Sequence, residues 1–350
     1  MPQRRVTAGQ LAGIVALALF TLGTETLPDR LADAGGAAWL CPLAAGAVFL
    51  PLAWLWSRQA PGSRSRDPLV TNTAGARGMA ALLLLWGLAV TAEQLCRVGL
   101  RLSEDLRGSP LLLTAALLIL AAWMASGGLA ALGRACRIFA MAVGLTFFFI
   151  LLFGLSGQRW DWIFLWETEE LRALPRGMVL TAGELSVGLY GLVLLEDAEP
   201  EEKRLGPARM AALFLPLALG TLLVTGRLGP GLAGRVRGPF FQMVSGLGFQ
   251  GAFQRLEELV SALWLLGDLA LLALLLLALR RLLSITVNRR ETAAMGWLTA
   301  AAILGLVLCR SLWGSAPEGA GSWAGSMAAG AVLTAWPVRK KFFEKPKKGA

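Results

Sequence analysis

The chain has no histidine among its 350 residues. That absence excludes histidine-ligated metal centres, histidine-based catalytic triads and a histidine proton relay. Charge is scarce as well: Asp, Glu, Lys and Arg make up 16% of the sequence, against about 25% in soluble domains. Cysteine is rare and scattered. Cys41, Cys96, Cys136 and Cys309 lie in or beside apolar runs, with no CxxC spacing. They suit small packing residues better than a disulfide framework or a metal cluster. With no acidic metal cluster and no nucleophile motif beside them, neither an enzyme nor a cofactor is expected.

What fills the sequence instead is apolar. Residues of the AVILMFWYC set account for 56%, and mean hydropathy is +0.61. A soluble chain of this size could not hide so much apolar surface in one core, so the apolar segments are expected to face lipid. This excludes a cytosolic enzyme, a secreted disulfide scaffold and a disordered chain. The net charge of +10 would suit nucleic acid, but basic loops on one side of a membrane explain it without such a partner.

A hydrocarbon core about 30 Å thick needs roughly 20 apolar residues in a helix. That ruler gives ten candidate spans, at about 9–27, 36–56, 79–98, 110–128, 138–155, 178–195, 208–225, 259–279, 293–310 and 320–338. The first lacks a small-residue cleavage site and is expected to be retained. The chain reads as one transmembrane domain, with a first half at 1–156, a second half at 157–338 and a basic tail at 339–350. Ten spans put both termini on one side. That side carries 21 of the 33 Lys and Arg residues, so both termini are expected in the cytoplasm. The tail from Arg339 to Lys348 would then lie against anionic headgroups.

Two outer loops stand out. Residues 157–177 carry Trp160, Trp162 and Trp166 with four acids, which reads as a short amphipathic helix at the interface. Residues 230–256 are glycine-rich and then apolar, with Pro239, Phe240, Phe241 and Phe249; they read as a loop folded back onto the outer vestibule. Simple interfacial anchoring accounts for either loop equally well.

Polar groups inside the spans carry the functional signal, because a charge at membrane depth is expensive and usually faces the bundle interior. In the first span, Thr21, Gly23, Thr24, Glu25 and Thr26 precede Pro28, which is poor helix material. Either the helix unwinds there and frees backbone groups for a ligand, or it ends at Gly23 with Glu25 in headgroup water. In the sixth span Thr181, Glu184, Gly188 and Gly191 share one helical face, with Gly183 beside the carboxylate. That stripe suits close helix packing or a solute path with a grip for an amine. In the eighth span Glu257, Ser261, Trp264 and Asp268 share a face, and Asp268, near mid-membrane, is either paired or facing water. Glu93 and Arg97 form an i,i+4 pair at the end of span three, which reads as structural. Interrupted first and sixth spans in two five-helix halves are the pointer to an inverted-repeat fold with a midplane site.

The chain also resembles a known family. Val6-Thr7-Ala8-Gly9-Gln10-Leu11, the stretch from Gly23 to Leu27-Pro28, and Ala34-Gly35-Gly36-Ala37-Ala38-Trp39-Leu40 are similar to the opening of the membrane-embedded B subunits of bacterial spore germinant receptors. These belong to the amino acid–polyamine–organocation superfamily. Gly127-Gly128-Leu129-Ala130-Ala131-Leu132-Gly133-Arg134 resembles that family's segment after span four, Gly183-Glu184 its sixth span, and the stretch from Phe249 to Glu257 with Trp264 its entry to span eight. The likeness runs nearly end to end. It departs at Thr21-Leu22-Gly23, where the family has two glycines, and at Glu25, where an apolar residue is usual.

The resemblance implies a five-plus-five inverted-repeat α-helical bundle with broken helices 1 and 6. It implies a small amino acid-like germinant held among spans one, three, six and eight; from the polar and small residues of spans one and six, Thr21, Gly23, Thr24, Glu25, Thr181, Gly183, Glu184 and Gly188 are the expected ligand-binding residues. Glu257, Ser261, Asp268 and Glu93 would form an interior polar face. It further implies a receptor A subunit and a lipoprotein C subunit as partners in the spore inner membrane. The alternative in the same superfamily is an amino acid permease.

Overall fold

The structure is a computed structural model, and it describes residues 6–47, 74–197, 207–247 and 256–313. The tenth span, the basic tail, most of the 57–78 and 196–209 loops, the second span beyond residue 47 and the stretch 249–255 fall outside the described residues. Among the described residues the chain is all-helical, with no β-strand.

The first helix, α1 (Ala8–Arg30), starts at a capping box. The Gln10 amide donates to Thr7 Oγ1, and the Thr7 amide donates to Gln10 Oε1. The threonine–glutamine spacing at the start of the chain thus satisfies two otherwise orphan N–H groups. A short 3-10 turn (Ala32–Ala37) leads into helical residues 40–47, here α2. Then come α3 (Ala74–Leu106), α4 (Pro110–Ser126), α5 (Gly128–Gly154), the short α6 (Trp160–Phe164) and α7 (Thr168–Leu185), which continues as a 3-10 stretch over Ser186–Asp197. The chain goes on through α8 (Pro207–Leu228), the short α9 (Pro230–Ala233) and α10 (Pro239–Ser245), α11 (Leu256–Val287) and α12 (Ala293–Trp313).

Among the described residues, four helical segments are long and apolar enough to cross a membrane: Gly9–Arg30, Arg77–Leu106, Gly128–Gly154 and Glu257–Val287. They differ in how much of their surface the protein itself covers. The apolar windows of α1 and α11 are 83% and 78% buried, whereas that of α5 is 22% buried. So α1 and α11 form the centre, and α11 packs on α1, α3, α4, α5 and α12. The outer faces of α4 and α5 present Leu112, Ile119, Trp123, Ile138, Met141 and Phe148 outward. An exposed apolar surface of that extent suits hydrocarbon and not water.

The expected break in the first span does not occur. Helix α1 runs unbroken from Ala8 to Arg30, with Pro28 inside it. The threonines that argued for a break hold the helix instead. Thr21 Oγ1 donates to the Leu17 and Ala18 carbonyls, Thr24 Oγ1 to Phe20 and Thr26 Oγ1 to Leu22. This back-bonding satisfies each hydroxyl within the helix itself. Gly23 marks a contact: a Cβ there would lie 2.6 Å from Leu217 Cδ2 of α8. In the sixth span the backbone changes pitch just after Gly183-Glu184, where α7 gives way to the 3-10 stretch at Ser186.

The described parts of the two unusual loops, 157–177 and 230–247, fold onto the helices. Helix α6 buries Ile163 while Trp160 stays exposed, and the Arg159 guanidinium sits 4.0 Å from the Trp162 ring centroid. Helix α10 packs against α1, α8 and α11, with Phe240 fully buried. The Gly35-Gly36 pair has a steric cause. Gly35 adopts φ 55 with the Glu170 carboxyl against it, and a Cβ on Gly36 would lie 2.2 Å from the Trp162 carbonyl oxygen.

Since that last neighbour is backbone, it cannot swing away. Gly36→Ala should therefore lower stability by about 1–3 kcal/mol, read as a lower melting temperature by tryptophan fluorescence of the purified protein. Gly144→Ala, where a Cβ meets nothing within 4 Å, should stay within about 0.5 kcal/mol. Equal melting temperatures for the two variants would remove the close approach at Gly36.

Candidate functional site

Helices α1, α3, α7 and α11 each bring charged side chains to the bundle interior, and these meet as two junctions. At the first, Glu184 of α7 accepts from two arginines. Arg30 Nη1 of α1 lies 2.6 Å from Oε2, and Arg97 Nη1 of α3 lies 2.8 Å from Oε1. Glu93 stands 3.5 Å from Arg97 Nη2 on the same helix. At the second, Arg101 of α3 donates to two carboxylates: Nη1 to Glu25 Oε2 of α1 at 2.5 Å, and Nη2 to Asp268 Oδ2 of α11 at 2.7 Å. The side chains of Glu184, Glu25 and Asp268 are 4%, 7% and 4% exposed. Helices α1 and α3 serve both junctions, α7 only the first and α11 only the second.

Local sequence explains the placement. Glu93, Arg97 and Arg101 fall four residues apart, so they stand on one face of α3. On α11, Gly267 allows the close approach to α1, because a Cβ there would lie 2.2 Å from Thr21 Cγ2. This contact is one residue from Asp268 and four from Glu25. Trp264 Nε1 donates to Thr24 Oγ1 at 2.8 Å, fully buried. Phe20, Phe240 and Trp264 pack together around this bond, and the Phe241 ring covers Arg101 with its centroid 4.9 Å from Cζ. Helix α10 therefore closes the second junction with aromatic rings.

Of the residues expected at a site, Glu25, Glu93, Glu184 and Asp268 converge on the junctions. Thr21 and Thr24 line the contact between α1 and α11, and Ser261 donates to Asp105 of α3 at 3.0 Å. Glu257 stays half-buried in the first turn of α11. Thr181 donates to its own Gly177 carbonyl, and the Gly183 carbonyl accepts from Ser186 Oγ. Gly188 and Gly191 pack on Leu19 and Val15 of α1, so the glycines of this stripe serve close helix packing. Glu184 is not an open carboxylate, because both of its oxygens are held by arginine.

Sequence reasoning missed Arg30 and Arg101. Arg101 lies beyond the expected span, which ends at residue 98, whereas α3 continues to Leu106. The four-residue spacing of Glu93, Arg97 and Arg101 was the available signal.

Removing one partner of a buried ion pair leaves the other uncompensated, at about 3–5 kcal/mol. Arg101→Ala, which strands both Glu25 and Asp268, should lower the melting temperature most, and adding Glu25→Gln should recover part of the loss. Glu93→Gln, at the longer pair, should cost about 1 kcal/mol or less. An Arg101→Ala protein as stable as Glu93→Gln would contradict the assignment. No protein family is matched by the chain, and none of the curated proteins is similar to it.

Proposed function

We propose that the chain is the membrane-embedded subunit of a spore germinant receptor. In this reading it binds a small amino acid-like germinant among α1, α3, α7 and α11 and thereby triggers germination. The observation that carries the reading is the pair of charge junctions buried among those four helices. Ionisable groups at membrane depth mark solute sites by default, and α1, α3, α7 and α11 contain the four spans that the family resemblance implies for the ligand.

The pattern of apolar spans, the placement of basic residues and the family resemblance support the rest of the receptor's organisation. Ten spans are arranged five plus five, both termini lie on the cytoplasmic side of the spore inner membrane, and an A subunit and a lipoprotein C subunit complete the receptor. The chemistry suits a sensor. A zwitterion carries the same two charges as an arginine–carboxylate pair, so it can compete for partners at either junction. Because each junction ties three helices together, exchanging one partner alters which helix arrangement is favoured. That is the differential affinity a ligand needs to shift a conformational equilibrium.

Deleting the gene in the spore-forming host should abolish nutrient-triggered dipicolinate release and leave amino acid uptake by growing cells intact. Lost uptake with normal germination would make the chain a permease and overturn the proposal. In the same spores, Glu184→Gln should move the germinant dose–response by roughly tenfold, about 1.4 kcal/mol, once the response is normalised to the amount of protein in the membrane. An unchanged curve would remove Glu184 from the responsive site.

A further inference from the structure

Among the described residues, four buried side-chain polar atoms have no hydrogen-bond partner: Trp39 Nε1, Arg101 Nε, Gln158 Oε1 and Glu170 Oε2. One of them, Arg101 Nε, belongs to the charge junctions. Its position is unusual, because Arg101 already donates through both Nη atoms and presents a further N–H in the same fixed plane. Phe241 offers that guanidinium an aromatic face but no lone pair. A buried donor left unmatched is costly, and more so on a charged group, so an acceptor brought by a ligand gains more here than at a donor already engaged.

The rest of the site narrows what that acceptor belongs to. Because α1 is unbroken, the backbone amides of residues 21–27 are engaged in its own ladder and are not on offer to a carboxylate. The junctions themselves hold four carboxylates (Glu25, Glu93, Glu184, Asp268) and three guanidiniums (Arg30, Arg97, Arg101). An excess of negative charge disfavours a simple anion and favours a ligand that also carries an ammonium group.

We infer that Arg101 is the specificity-determining residue of the ligand site: its Nε–H takes the carboxylate of a zwitterionic ligand, whose ammonium faces the surplus carboxylates. This rests on the reading of the chain as an amino acid-binding membrane protein. It places carboxylate recognition on a side chain of α3 and not on backbone groups freed in α1. A carboxylate adds charge–charge attraction to this hydrogen bond, which a neutral amide carbonyl does not, and the decarboxylated amine offers no acceptor at all, so the acid is distinguished from both.

The test uses the full chain in lipid nanodiscs, with equilibrium binding measured for the twenty L-amino acids. The amide and the decarboxylated amine of the tightest binder are then measured beside it. The wild-type protein should bind the acid roughly tenfold or more tightly than either derivative. Arg101→Lys keeps the positive charge opposite Glu25 and Asp268 but lacks the planar N–H fork, and it should lose that discrimination. Equal wild-type binding of acid and amine overturns the inference even if Arg101→Lys fails to purify as a monodisperse protein. So does discrimination that survives unchanged in Arg101→Lys. Both results leave amino acid binding standing. If no amino acid binds at all, the functional reading falls and takes this inference with it.

Discussion

The bundle depends on placing seven charged side chains in an apolar interior without leaving the junction carboxylates unanswered. Charges at this depth are tolerated when geometry is good and further hydrogen bonds satisfy the remaining atoms. Here the solution is topological. A carboxylate shared by two arginines and an arginine shared by two carboxylates pin α7 and α11 to the same pair of helices, α1 and α3. The small residues serve this arrangement. Gly267 admits Thr21, and Gly188 and Gly191 admit Leu19 and Val15, so the helices come close enough for the side chains to meet.

The aromatic residues complete the enclosure. Trp264 is fully buried and ties its indole N–H to Thr24, while Phe240 and Phe241 of α10 pack over Trp264 and Arg101. A connecting segment rich in glycine and proline thus becomes part of the interior. With water kept from the junction, each electrostatic contact inside it is stronger than it would be at a surface.

Much of this was legible in the sequence, and the failures have physical reasons. The Thr7–Gln10 spacing is a capping-box signal that the sequence reading did not use, and the cap forms. The face of α11 bearing Ser261, Trp264 and Asp268 was readable from spacing alone, and each of the three finds a partner on α1 or α3. The first span was misread because threonine and glycine propensities describe helices in water. Inside an apolar bundle the hydroxyls have no water to turn to and bond back to the helix. The sequence left Glu184 between a packing stripe and a grip for an amine, because its partners lie 87 and 154 residues away. Local pattern carries no information about pairings at that distance, and the glycine stripe gave no hint of which helix it would meet.

The claim beneath all of this is that Arg97 and Arg101 bridge helices through named carboxylates. Solid-state NMR in lipid, with labelled arginine guanidinium nitrogens and Asp and Glu carboxyl carbons, measures those separations directly. The account predicts short-range couplings, within about 4 Å, from Arg101 to both Glu25 and Asp268 and from Arg97 to Glu184, all of which vanish when the arginine is replaced. Arginine signals with no carboxyl carbon in range, in a folded protein, would contradict it.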